Sequence, residues 1–232
     1  MIENLPNWIN ISFFLVTLIT IGIFYISNGR PKKLLLLILL WSAIQSIIAF
    51  TGFYQITDTT PPRFALVLLP SALSILFGMS SKNLKWMFAT RKIEVSTFLH
   101  CIRIPVEFIL LYLFLNKTIP KTMTFEGLNF DIIAGITAPL VGLLYIKGKL
   151  GKKGLLIWNV LGLILIFTIL TIGILSSELP FQQFGFEQPN RAIDYFPFIL
   201  LPATVVPMVI YTHLTDIIKL RKEIEPNFRK WM

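Results

Sequence analysis

The segment His100-Cys101-Ile102-Arg103-Ile104-Pro105-Val106-Glu107 sets three ionisable side chains inside an apolar run. His100, Arg103 and Glu107 stand at i, i+3 and i+7, which is one face of a helix. Arg103 and Glu107, four apart, can neutralise each other, and Pro105 between them frees a backbone carbonyl one turn back. A charge at bilayer depth costs at least about 2.5–3.5 kcal/mol on insertion scales, so such groups turn into a bundle interior. There they serve either as a functional polar site or as a self-compensated pair that fixes helix packing. The only other histidine is His213. Two imidazoles could ligate a haem, or hold a metal ion together with Glu107. A membrane histidine more often bonds to a neighbouring helix, so no metal is assigned, and no residue pattern names a cofactor.

A second polar group stands in two connecting segments. Met123 to Asp131 carries Glu126, Asn129 and Asp131; Leu179 to Arg191 carries Glu187, Asn190 and Arg191. Solvated loops rarely hold as many phenylalanines as Phe125, Phe130, Phe181, Phe184 and Phe186. They are expected to fold over the bundle as a lid, since burial gains about 25 cal/mol per Å². That folding would draw the acids and amides towards one mouth, with Arg191 within reach of Glu126 or Asp131. Asp131 also reads as a cap on the helix that follows. Gln45, Asn159 and Thr204 are weaker interior markers. Pro70, Pro139, Pro202 and Pro207 interrupt apolar runs, where broken helices can expose backbone at a cavity.

These residues must be positioned by membrane spans. The chain is 55% hydrophobic and only 14% charged, with a mean hydropathy of +0.73, where a soluble domain would carry about a quarter charged residues. Its apolar residues come in blocks long enough to cross about 30 Å of hydrocarbon. Seven are marked: Trp8 to Ser27, Leu34 to Tyr54, Arg63 to Ser80, Val95 to Asn116, Phe130 to Ile146, Leu155 to Ser176 and Tyr195 to Leu220. The first is read as a retained helix, because Met1 to Asn7 has no Lys or Arg to serve as a signal peptide's basic region. The fold class is all-α: a single polytopic membrane domain over residues 1–232, a bundle of seven transmembrane helices.

Most of the 21 basic residues fall on alternate connections. Arg30, Lys32 and Lys33 follow the first block; Lys82, Lys85, Arg91 and Lys92 the third; Lys147, Lys149, Lys152 and Lys153 the fifth. Lys219, Arg221, Lys222, Arg229 and Lys230 stand at the carboxyl end. The positive-inside bias then puts the amino terminus outside and the carboxyl terminus in the cytosol. The net charge of +9 is thus topological and meets anionic lipid heads; it is no nucleic-acid footprint. Met87-Phe88 beside Trp86 and Lys85 reads as a short stretch on the cytosolic surface. The expected setting is a cell membrane, of the bacterial inner-membrane kind, with the lipid bilayer as the partner.

Residues 1–80 can be laid over 130–220, with 95–116 as a linker. Lys32-Lys33 matches Lys152-Lys153, Trp41 matches Trp158, and Leu68-Leu69-Pro70 matches Leu200-Leu201-Pro202. This three-plus-one-plus-three plan resembles SWEET transporters in topology and helix count alone. No mid-helix lysine suits a retinal Schiff base, and two histidines cannot complete a ceramidase-type zinc site. The leading functional expectation is binding or transport of a small molecule, using His100, Arg103, Glu107, Gln45, Thr204 and the polar mouth. The alternatives are an intramembrane enzyme or redox protein using His100 and His213, and a non-catalytic scaffold or sensory subunit.

Overall fold

A computed structural model describes residues 1–225; Arg229 and Lys230 of the basic carboxyl end lie outside the described residues. Within them the chain is helical, without a strand. The helices are α1 (Asn7–Ser27), α2 (Lys32–Phe50), α3 (Ala65–Gly78), α4 (Ser81–Thr90), α5 (Ile93–Leu99), α6 (Arg103–Leu115), α7 (Asp131–Ile146), α8 (Lys152–Leu175) and α9 (Val206–Ile224). Five stretches are long and apolar enough to cross a membrane: Asn7–Ser27, Lys32–Phe50, Ile93–Leu115, Lys152–Leu175 and Leu201–Ile224. The other two expected spans differ. α3 reaches span length only together with α4, from which it is bent by 72°, and α7 has 16 residues. The make-up is that of a multi-pass helical membrane protein.

The breaks follow from proline chemistry. A proline has no N–H, so the carbonyl four residues earlier loses its helical partner. Pro70 frees the carbonyl of Leu66, which accepts from Gln45 Nε2 at 3.4 Å. Pro207 frees the carbonyl of Ala203, which accepts the Trp41 indole N–H at 2.9 Å and Ser71 Oγ at 3.4 Å. That turn, Leu201–Val205, is a π-helix. Thr204 beside it pairs with Ser42 at 2.9 Å. Gln45 also accepts from the Tyr54 hydroxyl. Gln45 and Thr204 are interior, as the sequence implies, but both are engaged: Gln45 joins α2 to α3 and Tyr54, and Thr204 joins α2 to the π turn ahead of α9.

The expected fourth span is α5 and α6 joined by a 3-10 turn at His100–Ile102, one turn before Pro105. The span that ends the bundle, Leu201–Ile224, sits at its centre: 61% of its most apolar stretch is buried, against 11% for α2. The lipid-suited side of α2 shows Leu36, Leu37, Leu40, Ile44 and Ile47, each about half exposed or more. α7 turns a seam of Ala134, Gly135, Ala138 and Gly142 to the bundle. A Cβ on Gly135 would lie 3.0 Å from Ile104 and 3.1 Å from Cβ of Arg103, so the glycine lets α7 approach α6 backbone to backbone.

The expected aromatic lid does not form. Phe130, Phe181, Phe184 and Phe186 are exposed, and Phe125 is half-buried edge-on to Phe108. Ile119, Met123 and Ile193 supply the buried apolar contacts at this end of the bundle instead. The hydrogen bonds of the second segment go to the chain ahead of the first, not to Met123 to Asp131: Arg191 and Ala192 N–H donate to the carbonyl of Thr118 at 3.0 and 3.1 Å. Gln188 Nε2 donates to the carbonyl of Phe114 at 2.9 Å.

Candidate functional site

The bend at His100–Ile102 turns one face of α5 and α6 into the bundle. Ser96, His100, Arg103 and Glu107 line it, all at most 2% exposed. Ser96, His100 and Arg103 meet partners from other helices and Glu107 one from the segment ahead of α7, and together they form a polar column inside an apolar protein.

Arg103 is its hub. Nη1 donates to Asp131 Oδ1 at 2.7 Å, and Nη2 bonds to His213 Nε2 at 2.8 Å. Both terminal nitrogens also approach the carbonyl of Gly162 at 3.4 Å. The expected Arg103–Glu107 pair does not form. Gly135 brings α7 so close that Asp131, one turn before it, lies opposite Arg103; the guanidinium reaches sideways to α7 instead of up its own helix. Asp131 opens α7 but does not cap it with its side chain. Its own N–H is taken by Asn129 Oδ1 at 3.0 Å.

The tautomer of His213 follows from its neighbours. Arg103 can only donate, so Nε2 is the bare acceptor nitrogen. Nδ1 therefore carries the proton and donates to Asn159 Oδ1 at 2.9 Å. Asn159 in turn donates to the carbonyl of Leu155 at 3.0 Å. A Cβ on Gly162 would stand 2.5 Å from the His213 ring, so only glycine leaves room for this imidazole.

His100 stacks on His213, with ring centroids 3.8 Å apart and planes inclined by 14°, and Trp158 meets His100 edge-on at 5.4 Å. Ring lone pairs lie in the imidazole planes, so two stacked rings do not converge on one ion. Both nitrogens of His213 are engaged, while both nitrogens of His100 are buried without a protein partner. Among the described residues no three His, Cys, Asp or Glu side chains group as metal ligands.

Glu107 lies a turn beyond Arg103. Asn129 Nδ2 lies 2.7 Å from both of its oxygens and 3.0 Å from the carbonyl of Met123. Thus Asn129 and Asp131 join the column. The rest of the expected mouth does not. Glu126 and Glu187 are exposed, and Arg191 binds Glu178 at 2.6 Å instead of Glu126 or Asp131. Asn190 is buried, donating to the carbonyl of Gly173 at 3.1 Å. Beside it lies an apolar cleft of about 60 Å³ between Phe64, Leu110, Met123, Ile169 and Ile193. Sites for drug-sized molecules run to about 300 Å³ or more. The predicted convergence of polar groups at a mouth is absent because chain geometry sends Arg191 to Glu178, thirteen residues before it.

A second charged cluster closes the lysine-rich end. Arg91 Nε meets Asp216 Oδ1 at 2.7 Å, both side chains fully buried. Arg91 also donates to Asn28 Oδ1 at 2.9 Å and to the carbonyl of Thr212 at 3.2 Å. Ser96 donates to Asp216 Oδ2 at 2.6 Å, and Lys219 Nζ to the carbonyl of Arg91 at 2.7 Å. This ties the α1–α2 connection, the joint between α4 and α5, and α9 together. Sequence reasoning counted Arg91 as a loop charge and passed over Asp216. The available signal was the stripe Thr212, His213, Thr215 and Asp216 on one face of the last span.

No curated protein and no solved structure matches this chain. The model of the family described as Domain of unknown function (DUF8737) matches residues 61–221, which take in α3 to α8, most of α9 and every charged group of the column, and the chain belongs to that family.

Proposed function

We propose that this protein binds a small solute at the buried polar column and carries it across the membrane by alternating between this closed arrangement and an open one. The observation that supports the reading is the face formed by Ser96, His100, Arg103 and Glu107, met by Asp131 from α7 and by His213 and Asp216 from α9. Apolar residues of the same volume would pack such a core as well or better. Charged groups kept at this depth in membrane proteins mark solute paths and proton relays. The same reading keeps one seven-span domain with repeat-like halves, the amino terminus outside and the lysine-rich end in the cytosol of a cell with this membrane as its boundary.

A scaffold or sensory role is the second reading, favoured by the size of the cleft, about 60 Å³. One experiment separates them. The purified protein is heated with amino acids, sugars, carboxylates and organic amines in turn. A solute that raises the melting temperature of the wild type and not of Arg103→Gln supports carriage. In parallel, cysteines are placed at Ala138 and Asn159 on a Cys101→Ser background in sealed vesicles. If no solute class stabilises the protein and both cysteines resist a water-soluble thiol reagent from either side, the centre never opens and the scaffold reading stands.

A further inference from the structure

The charges of the column do not balance. Arg103 and Asp131 form one neutral pair. His213 is neutral by its hydrogen bonds, accepting from Arg103 and donating to Asn159. No cation is left for Glu107. Among the described residues the ion pairs are Arg91–Asp216, Arg103–Asp131, Lys152–Glu223 and Arg191–Glu178, and none includes it. The groups that face it are few. Its own helix brings Arg103, with His100 a turn further back in the same span, and α7 brings Asp131. α1 offers only Tyr25, at the far end of that helix, and Lys121 in the neighbouring 3-10 turn is exposed.

The hydrogen count points to the same imbalance. Asn129 has its oxygen on Asp131 N–H, which can only donate, so the amide orientation is settled and Nδ2 faces Glu107. Nδ2 carries two hydrogens. One goes to the carbonyl of Met123 at 3.0 Å, leaving one for two carboxyl oxygens that both lie 2.7 Å away. One Glu107 oxygen therefore has no donor of its own. An ionised carboxylate, 2% exposed, with one neutral donor and no countercharge, would cost several kcal/mol.

We infer that Glu107 is a proton-binding site, occupied in this closed form, with Asn129 transmitting its state to the 121–130 segment. A proton on the donorless oxygen removes both the charge and the missing bond. A sodium or potassium ion would need a shell of oxygens, but Asn129 presents N–H to this carboxyl and its oxygen is already used. When the proton leaves, the new negative charge draws Asn129 away from the Met123 carbonyl, and the segment that seals the bundle loosens. This names the coupling ion of the carrier proposed above and rests on that reading for its role, though not for the binding itself.

Infrared spectroscopy of the purified wild type tests it. A protonated-carboxyl C=O band is expected at neutral pH, converting to carboxylate on alkalinisation, identical in sodium, potassium and choline buffers. Asp194 is also protonated at neutral pH and adds its own band, so the comparison uses an Asp194→Asn background: a band should persist there and vanish when Glu107→Gln is added. Amide hydrogen exchange over 121–130, corrected for the base-catalysed rise in intrinsic rate, should lose protection on alkalinisation in the wild type and keep it in Glu107→Gln, whose neutral side chain mimics the loaded form. A band that survives in the Asp194→Asn, Glu107→Gln double variant, a band replaced by carboxylate only when sodium is present, or protection insensitive to pH in the wild type would overturn the inference. The titration is read with Glu107 in place, so a Glu107→Gln protein that failed to fold would itself count against a neutral loaded form. Proton binding as expected, with no stabilising solute, would remove the carrier reading and leave the site. A solute bound equally by Glu107→Gln would do the reverse.

Discussion

Arg103 meets Asp131 at 2.7 Å across the α6–α7 contact, although Glu107 stands only one turn along its own helix. The pair is almost fully buried, so each partner depends on the other. Removing one leaves an uncompensated charge, a loss of roughly 3–5 kcal/mol. Asp131→Asn is expected to lower stability by that order, and Arg103→Gln with Asp131→Asn to lower it by less than the sum of the single changes. Thermal or denaturant unfolding in detergent checks this; strict additivity would show that the two side chains are not coupled.

Gly162 is the floor under His213. A methyl group there would lie 2.5 Å from the imidazole, forcing the ring off Arg103 and Asn159. Gly162→Ala is expected to destabilise by about 1–3 kcal/mol, as overpacking does, although alanine is the better helix former. Gly22, where a Cβ meets nothing within 4 Å, is the control: Gly22→Ala should be neutral or stabilising in the same melting assay.

Asp194 ends a 3-10 turn ahead of the last span. Burial pushes its carboxyl up to about 8, and Glu178, which lines the same small cleft, adds to the rise. An unfolded Asp titrates near 4 (roughly). A raised acid is destabilising once it ionises, so the penalty is absent below about 4, grows with pH, and is complete above about 8. Wild-type melting temperature should therefore fall between about pH 5 and pH 8 relative to Asp194→Asn. Parallel profiles for the two proteins would refute this.

The proposed sidedness rests on the lysines. On a Cys101→Ser background, Glu126→Cys should react with an impermeant thiol reagent added outside intact cells, and Gly151→Cys only after lysis. Both positions are exposed. External labelling at 151 would invert the topology proposed above.

The membrane class was legible in composition because solvent transfer is a property of each residue: long apolar blocks announce spans wherever they pack. The polar face His100, Arg103 and Glu107 was legible because helical periodicity is local, and its burial followed from the cost of charge in hydrocarbon. The prolines announced breaks that expose backbone, which in the fold are the carbonyls of Leu66 and Ala203. What receives those carbonyls, and which partner each charge takes, was decided by tertiary packing. Asp131 is 28 residues from Arg103, His213 is 110 away, and Asp216 is 125 from Arg91. Spacing along a chain encodes contacts within one helix, whereas these partners depend on how closely two helices approach. That approach is set by small residues such as Gly135 and Gly162, whose absent side chains leave no chemical sign in the sequence of what will fill the space.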